Sequence, residues 1–170
     1  MAQDWTDAKL MAAVARGDAR AMGEVLRRHG DYLFGVARTL TNSAADAEDV
    51  VQETLAALLT AKFRGDAGLR TFLVSIVVRQ AALVRRKHRP TMRLVDDNLP
   101  AADEQTAADA KMDLAVLLEK LSPEHREVLV LREIDGQGYE EMSRTLAVPR
   151  GTIESRLHRA REALRKLWQK

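Results

Sequence analysis

The segment RGTIESRLHRARE, residues 150–162, combines four arginines with a histidine, a serine and a threonine at helical spacing. At about 100° per residue its apolar side chains share one face, formed by Ile153, Leu157, Ala160 and Leu164. The opposite face carries Ser155, His158, Arg159 and Glu162, with Arg156 and Arg161 beside them. Arginine can bind guanine through two hydrogen bonds or hold a phosphate, so this face suits the major groove of DNA. The alternative is a plain helical hairpin with a charged exterior.

The residues before this helix predict the element that would position it. Ser122, Pro123 and Glu124 are typical of a helix start, and the glycines at 136 and 138 end that helix. A short helix is then predicted over Tyr139–Leu146, with a turn at residues 147–149. This order is typical of a helix-turn-helix, in which the first helix braces the second at a steep angle.

A second cluster of cations, residues 85–89 (Arg-Arg-Lys-His-Arg), ends another helical pattern. A helix C-terminus favours cations through its dipole, but five basic or potentially basic residues exceed that need, which favours phosphate contact. The core face of this helix is predicted from Phe72, Leu73, Ile76, Gln80 and Leu83. Three further apolar side chains lie on the opposite face, so either another helix or a partner covers them. They are Val74, Val78 and Ala81.

An acidic helix precedes this basic one. Asp18 is predicted to cap one helix and Ser43 the next, which would run to about Ala61. The inward face of the second helix is predicted from Ala47, Val51, Leu55 and Leu58. Its outward face carries Asp46, Asp49, Glu53 and Thr60, with Gln52 beside them. Such a face is either a docking surface or simply solvated.

Composition predicts an all-α protein, because 46% of the 170 residues are apolar, only 4% are aromatic, and the apolar residues recur at three- and four-residue spacing. There is no cysteine, so disulfides and thiolate metal sites are excluded, and the four histidines show no ligand spacing. No cofactor, metal site or enzymatic activity is predicted. The most apolar window, residues 72–78, is too short to span a membrane, so we expect a soluble, cytoplasmic protein.

The charge is distributed unevenly although the net charge is only +2. Residues 61–90 hold eight Lys/Arg against one Asp, residues 94–113 hold six acids against one Lys, and residues 136–170 hold eight bases against four acids. Two basic blocks indicate two contacts with a polyanion, or alternatively two solvated helix faces. The acidic stretch between them predicts a flexible linker at 91–110, which separates domains at 1–90 and 111–170.

Three motifs in order resemble the extracytoplasmic-function (ECF) sigma factors of bacterial RNA polymerase. They are DAEDVVQET at 46–54, FRGDAGLRTFLVSIV at 63–77 and LSPEHREVLVLREIDGQGYEEMSRTLAVPRGTIESRLHRARE at 121–162. The resemblance implies a sigma factor that binds core polymerase and directs promoter-specific initiation. It also implies an anti-sigma partner, and a linker that threads toward the path of the nascent RNA.

The resemblance also implies roles for individual residues. Docking on the clamp helices of the polymerase would use Asp46, Asp49, Gln52 and Glu53. Opening the −10 element and holding an unstacked base would use Arg64, Arg70, Arg79, Arg85, Arg86 and Lys87. Reading the −35 element would use Arg150, Thr152, Ser155, Arg156, His158 and Arg159.

Four positions depart from the family pattern. Phe72, Arg79 and Leu83 stand where Trp, Asn and Asp are frequent, and Glu154 stands where a basic residue is frequent. The promoter sequence therefore does not carry over from the family. The rival interpretation is a helix-turn-helix regulator that binds operator DNA without polymerase, against which the acidic helix and the acidic linker argue.

Overall fold

The computed structural model describes residues 5–88 and 114–169, and within them all regular structure is helical. The chain divides into two units at Arg85 and Arg86. The first unit contains α1 (Asp7–Val14), α2 (Ala19–Leu40), α3 (Ala44–Leu58) and most of α4 (Leu69–His88). The second contains α5 (Leu114–Glu119), α6 (Pro123–Leu129), a π-helical turn (Val130–Ile134), α7 (Tyr139–Leu146) and α8 (Arg150–Trp168). The predicted all-α class is confirmed, whereas the predicted linker at 91–110 lies outside the described residues.

Side-chain caps start three helices of the first unit, α1, α2 and α3. Asp18 accepts hydrogen bonds from two backbone N–H groups in the first turn of α2, at 2.8 and 3.2 Å. Ser43 accepts one from the third residue of α3 at 3.0 Å. Both N-caps predicted from the sequence are confirmed. Helix α1 was not predicted from the sequence; it begins after the capping residue Thr6 and buries Leu10 and Val14.

The buried face of α3 differs from the predicted one. Ala47 and Leu58 are buried as expected, but Val51 and Leu55 are only half-buried. Val50 and Thr54 are fully buried in their place. The Thr54 hydroxyl donates to the Val50 carbonyl at 2.8 Å, and a satisfied hydroxyl can enter a core at little cost. The helix also ends at Leu58, one turn before the predicted end.

The buried face of α4 is wider than predicted and is rotated by about a quarter turn. Eight apolar side chains of this helix are buried: Leu69, Leu73, Val74, Ile76, Val77, Val78, Ala81 and Val84. The chain itself covers Val74, Val78 and Ala81, so the alternative of a partner at these positions is wrong. Leu83, predicted in the core, is 46% exposed, and Gln80 is only half-buried. A nearly continuous apolar run left the period undecided, and packing selected the face.

In the second unit, a π-helical turn follows α6 where a continuous helix to residue 135 was predicted. Within it the Asp135 N–H bonds to the Val130 carbonyl at 3.0 Å, five residues back. Helix propensity does not distinguish this wide turn from an α-helical one, so the sequence did not predict it.

None of the helices in the described part of the chain is both long and apolar enough to cross a membrane.

A buried polar network links this turn to α7. The Gln137 side chain is 1% exposed; it donates to an Asp135 carboxylate oxygen at 3.0 Å and accepts from the Thr145 hydroxyl at 3.2 Å. Arg132 donates to the Gln137 carbonyl at 2.8 Å. Because each of these groups is buried or half-buried, breaking one bond would leave a desolvated polar atom. The network therefore holds the start of α7 relative to α6.

The turn between α7 and α8 contains one residue in a left-handed conformation, Ala147, with φ of 54°. Such a conformation costs an alanine about 1–2 kcal/mol. Hydrogen bonds on both sides hold it: the Val148 N–H bonds to the Ser143 carbonyl at 3.2 Å, and the Ser143 hydroxyl donates to the Val148 carbonyl at 2.6 Å. Pro149 then starts α8. The predicted helix-turn-helix is confirmed.

Candidate nucleic-acid and polymerase interfaces

Helix α8 has a narrow buried stripe and a wide polar surface. Ile153, Leu157 and Ala160 are buried as predicted, whereas Leu164 is half-buried. The predicted outward side chains are exposed: Ser155, His158, Arg159 and Glu162. Thr152 and Arg156, also predicted to contact DNA, are half-buried on one flank of this surface. The helix thus projects several donors and acceptors from one rigid element.

Arg150 belongs to a cluster of charged and aromatic side chains that was not predicted from the sequence. Its Nε donates to Glu154 at 2.8 Å, and its Nη1 donates to Glu140 at 3.4 Å. The guanidinium also lies 5.6 Å from the centre of the Tyr139 ring, and Arg132 lies 5.2 Å from the same ring. The hydrogen bond that Arg150 donates to Glu154 raises the pKa of Arg150. The i,i+4 spacing of Arg150 and Glu154 was the available signal for this pair.

Arg161 ties α8 back to the π-helical turn. Its Nε and Nη2 both donate to Glu133, at 3.1 and 2.6 Å, and this contact raises the pKa of Arg161. The two residues are 28 positions apart, so no local pattern predicts the pair. Closer to the outward face, the Ser155 hydroxyl donates to the Thr152 carbonyl at 3.0 Å and keeps its lone pairs for another donor.

The predicted docking residues lie along the solvent side of α3. Asp49, Gln52 and Glu53 are exposed, and Asp46 is half-buried at the first turn. Asp49 and Glu53 are one helical turn apart, so their carboxylates lie on the same side. Ser43 caps the helix by accepting a hydrogen bond from the Asp46 backbone N–H at 3.0 Å.

The predicted −10 residues do not form a single patch. Arg79 and Arg86 are exposed on the same side of α4, and Lys87 is exposed at its end, whereas Arg85 is half-buried. Arg70 is exposed at the other end of the helix, with its guanidinium 5.0 Å from the centre of the Tyr32 ring in α2. Arg64, also exposed, lies in the loop before α4.

An aromatic pair closes the loop that precedes α4. The rings of Phe63 and Phe72 lie 5.2 Å apart at an angle of 60°. Between them Gly65 has φ of +77°, a conformation that glycine adopts without strain. Phe72 was predicted in the core face of α4, but it lies half-buried against Phe63. The pair joins the two ends of the loop.

These two units define a class: DNA-binding helix-turn-helix proteins that carry a second helical domain. Family models identify the domains, since "Sigma-70 region 2" matches residues 25–91 and "Sigma-70, region 4" matches residues 111–164. ECF RNA polymerase sigma factor SigE of Mycolicibacterium smegmatis is 35% identical over 164 residues, which cover 89% of this chain and 64% of that protein. SigM of Mycobacterium tuberculosis is 34% identical over 169 residues, with 95% and 84% covered. The chain therefore belongs to the ECF sigma factors of RNA polymerase.

Two solved structures are similar over most of the chain. CnrH, solved in complex with the cytosolic domain of CnrY, is 30% identical with a TM-score of 0.63, and the match covers 94% of this chain and 95% of CnrH. The sigma factor RpoE of Bartonella quintana, solved with the anti-sigma factor NepR, is 25% identical with a TM-score of 0.64. The match covers 86% of this chain and 96% of that protein.

Proposed function

We propose that this protein is an alternative sigma factor that binds core RNA polymerase in the cytoplasm and directs transcription from a specific set of promoters. The observation that carries the proposal is the presence of region 2 and region 4 in order on one chain. Each region also presents an exposed charged surface of the sign that its task requires. The family acts by binding and not by a catalysed reaction, so no covalent step is assigned to this chain.

The first domain, residues 1–90, would have two tasks. The carboxylates of α3 would dock on a basic or polar surface of the polymerase clamp helices. The loop at 64–68 and the exposed arginines of α4 would contact the −10 element. Opening the DNA costs a few kcal/mol per unstacked step, so contacts with the single strand must offset that cost. Cations at the phosphates would supply part of these contacts.

The second domain, residues 111–170, would bind the −35 element through α8, with contacts from Thr152, Ser155, Arg156, His158 and Arg159. The N-terminal part of a recognition helix is the part that reaches base edges in helix-turn-helix complexes. Arg150 belongs to the same proposed set, but its guanidinium is already paired with two carboxylates. The acidic linker at 91–110 would join the two contacts along the polymerase.

An anti-sigma factor is proposed as a further partner. RpoE was solved with the anti-sigma factor NepR, and CnrH was solved with the cytosolic domain of CnrY. By analogy, a regulator of this kind would bind the chain and keep it from the polymerase.

The docking surface provides the test. Changing Asp49 and Glu53 together to Lys reverses two charges on the exposed side of α3, and we expect binding to core polymerase to be abolished while the melting temperature stays nearly unchanged. The matched control is Asp7→Lys with Asp31→Lys, which changes the charge by the same amount at two exposed positions on α1 and α2 rather than on α3. Pull-down with purified core polymerase is the measurement.

Two results would contradict the proposal. Unaltered affinity of the Asp49/Glu53 variant for core would remove the docking assignment. A wild-type protein that protects a specific operator at nanomolar concentration, without polymerase, would instead favour a regulator that acts alone.

A further inference from the structure

A carboxylate occupies the part of α8 that faces DNA in helix-turn-helix complexes. Glu154 is in the second turn of the helix, and its side chain is 49% exposed. A carboxylate near the phosphates of DNA is repelled, so an unpaired glutamate here would weaken binding at every sequence. A compensating charge on the protein and a specific donor on the DNA would offset this repulsion.

Arg150 supplies the compensating charge. Its Nε hydrogen bond to Oε1 of Glu154, at 2.8 Å, fixes one carboxylate oxygen. Among the described residues, no group donates a hydrogen bond to the other oxygen, Oε2. Glu140 and the Tyr139 ring hold the guanidinium from its other side. The result is a carboxylate of defined orientation with one acceptor oxygen still available.

The edges of the four bases respond differently to such an acceptor. Guanine presents N7 and O6 in the major groove, and thymine presents O4, so both place an acceptor against the carboxylate. Adenine presents the N6 donor beside the N7 acceptor, whereas cytosine presents the N4 amino donor without a neighbouring acceptor on its own edge. Cytosine is therefore the base that an oriented glutamate selects.

We propose that Glu154 is a specificity-determining residue that accepts a hydrogen bond from the N4 amino group of a cytosine in the −35 element, and that Arg150 is its positioning residue. The inference rests on the proposed function, since it assigns a base to the recognition helix. An exposed ion pair is weak in free protein. Next to DNA, however, releasing Arg150 would leave Glu154 unpaired among phosphates, so the pair is retained there.

The experiment selects −35 sequences with the intact protein. Holoenzyme is assembled from the full-length chain and bacterial core polymerase, and it is used to enrich open complexes from promoters with a randomised −35 element. Wild type should enrich cytosine at one position. Glu154→Ala should reduce that preference by about 5- to 150-fold, which corresponds to the free energy that one specific base contact usually contributes. Glu154→Gln should shift the preference from cytosine to adenine, because an amide pairs with N6 and N7.

The role of Arg150 is tested at the same promoter position. Arg150→Ala should weaken the cytosine preference there and leave the preferences at other positions intact, and Arg150→Lys should restore part of it. The matched control is Glu133→Gln, which removes the carboxylate that pairs with Arg161 rather than with Arg150, and it should leave the enriched sequence unaltered. Melting temperatures of all five variants should stay close to wild type, because the changed side chains are exposed.

The outcomes separate this inference from the proposed function. If Glu154→Ala and Glu154→Gln enrich the same base as wild type, Glu154 does not read DNA and the inference is wrong. If wild-type holoenzyme enriches no −35 sequence at all, the proposed function fails and the inference fails with it.

Discussion

The two basic helices, α4 and α8, carry similar numbers of arginines but are supported in opposite ways. Eight apolar side chains of α4 are buried, so its cations are restricted to the ends and to one strip that contains Arg79 and Arg86. Only Ile153, Leu157 and Ala160 of α8 are buried, so most of its circumference is polar. Helix α4 is therefore a core helix with cations at its margins, and α8 is a surface helix that packs on the domain through one apolar stripe.

The difference determines how each helix can position charge. The cations of α4 are carried by a helix that its buried side chains hold in place, but they are distributed over different sides of that helix. Two cations of α8 are oriented by carboxylate partners, Arg161 by Glu133 and Arg150 by Glu154. We therefore expect substitutions in α4 to act mainly on stability and substitutions on the polar surface of α8 to act mainly on DNA selection.

The largest expected effect concerns the core of α4. Leu73→Ala removes a side chain that is 0% exposed and should lower the free energy of unfolding by about 2–5 kcal/mol. Leu83→Ala is the matched control on the same helix, since Leu83 is 46% exposed, and it should change stability by less than about 0.5 kcal/mol. Urea denaturation followed by circular dichroism measures both. Equal losses for the two variants would mean that α4 is not a core helix of the described kind.

An intermediate effect separates base reading from phosphate contact. Arg159→Ala should remove about 1–3 kcal/mol of discrimination at one −35 base. It should also flatten the penalty for mutating that base. Arg86→Ala, at an exposed position of α4, should weaken binding at every sequence and reduce the salt slope by about one unit. Run-off transcription on single-base −35 variants at two salt concentrations measures both. A uniform reduction across all variants by Arg159→Ala would show that this arginine does not read a base.

The smallest effect is a pH dependence confined to the first domain. Burial is the main cause that lowers the pKa of His29. The nearby charges of Arg28 and Arg70 lower this pKa further, whereas the charge of Asp7 raises it. The unfolded chain binds a proton below about pH 6.5, before the folded chain does. The contribution of His29 to stability is thus complete above that pH and is lost as the pH falls toward its folded pKa.

The measurement is the free energy of unfolding at pH 7.5 and at pH 5.5, for wild type and for His29→Gln. We expect wild type to lose more stability on acidification than the variant does. An equal loss in the two proteins would assign the acid sensitivity to other groups.

The sequence predicted what local interactions decide. Asp18, Ser43 and Ser122 were recognised as N-caps because each satisfies a backbone N–H within three residues, and this geometry needs nothing else from the fold. The bounds of α7 and the turn before α8 followed from helix-breaking residues in the same way. Family motifs then supplied the order of the domains and the candidate residues.

Only the tertiary structure decided features that depend on distant partners. The apolar run of α4 is compatible with several buried faces, and packing selected the one centred near Val77. Thr54 is buried on the inner face of α3 because its hydroxyl donates a hydrogen bond to the helix backbone. A hydropathy scale does not take this bond into account. Arg161 finds Glu133 across 28 residues, because the helix-turn-helix brings the two together. Local hydrogen bonds and helical periodicity depend on neighbouring residues, so the sequence predicts them. The buried face of a helix and its long-range ion pairs depend on which surfaces pack together.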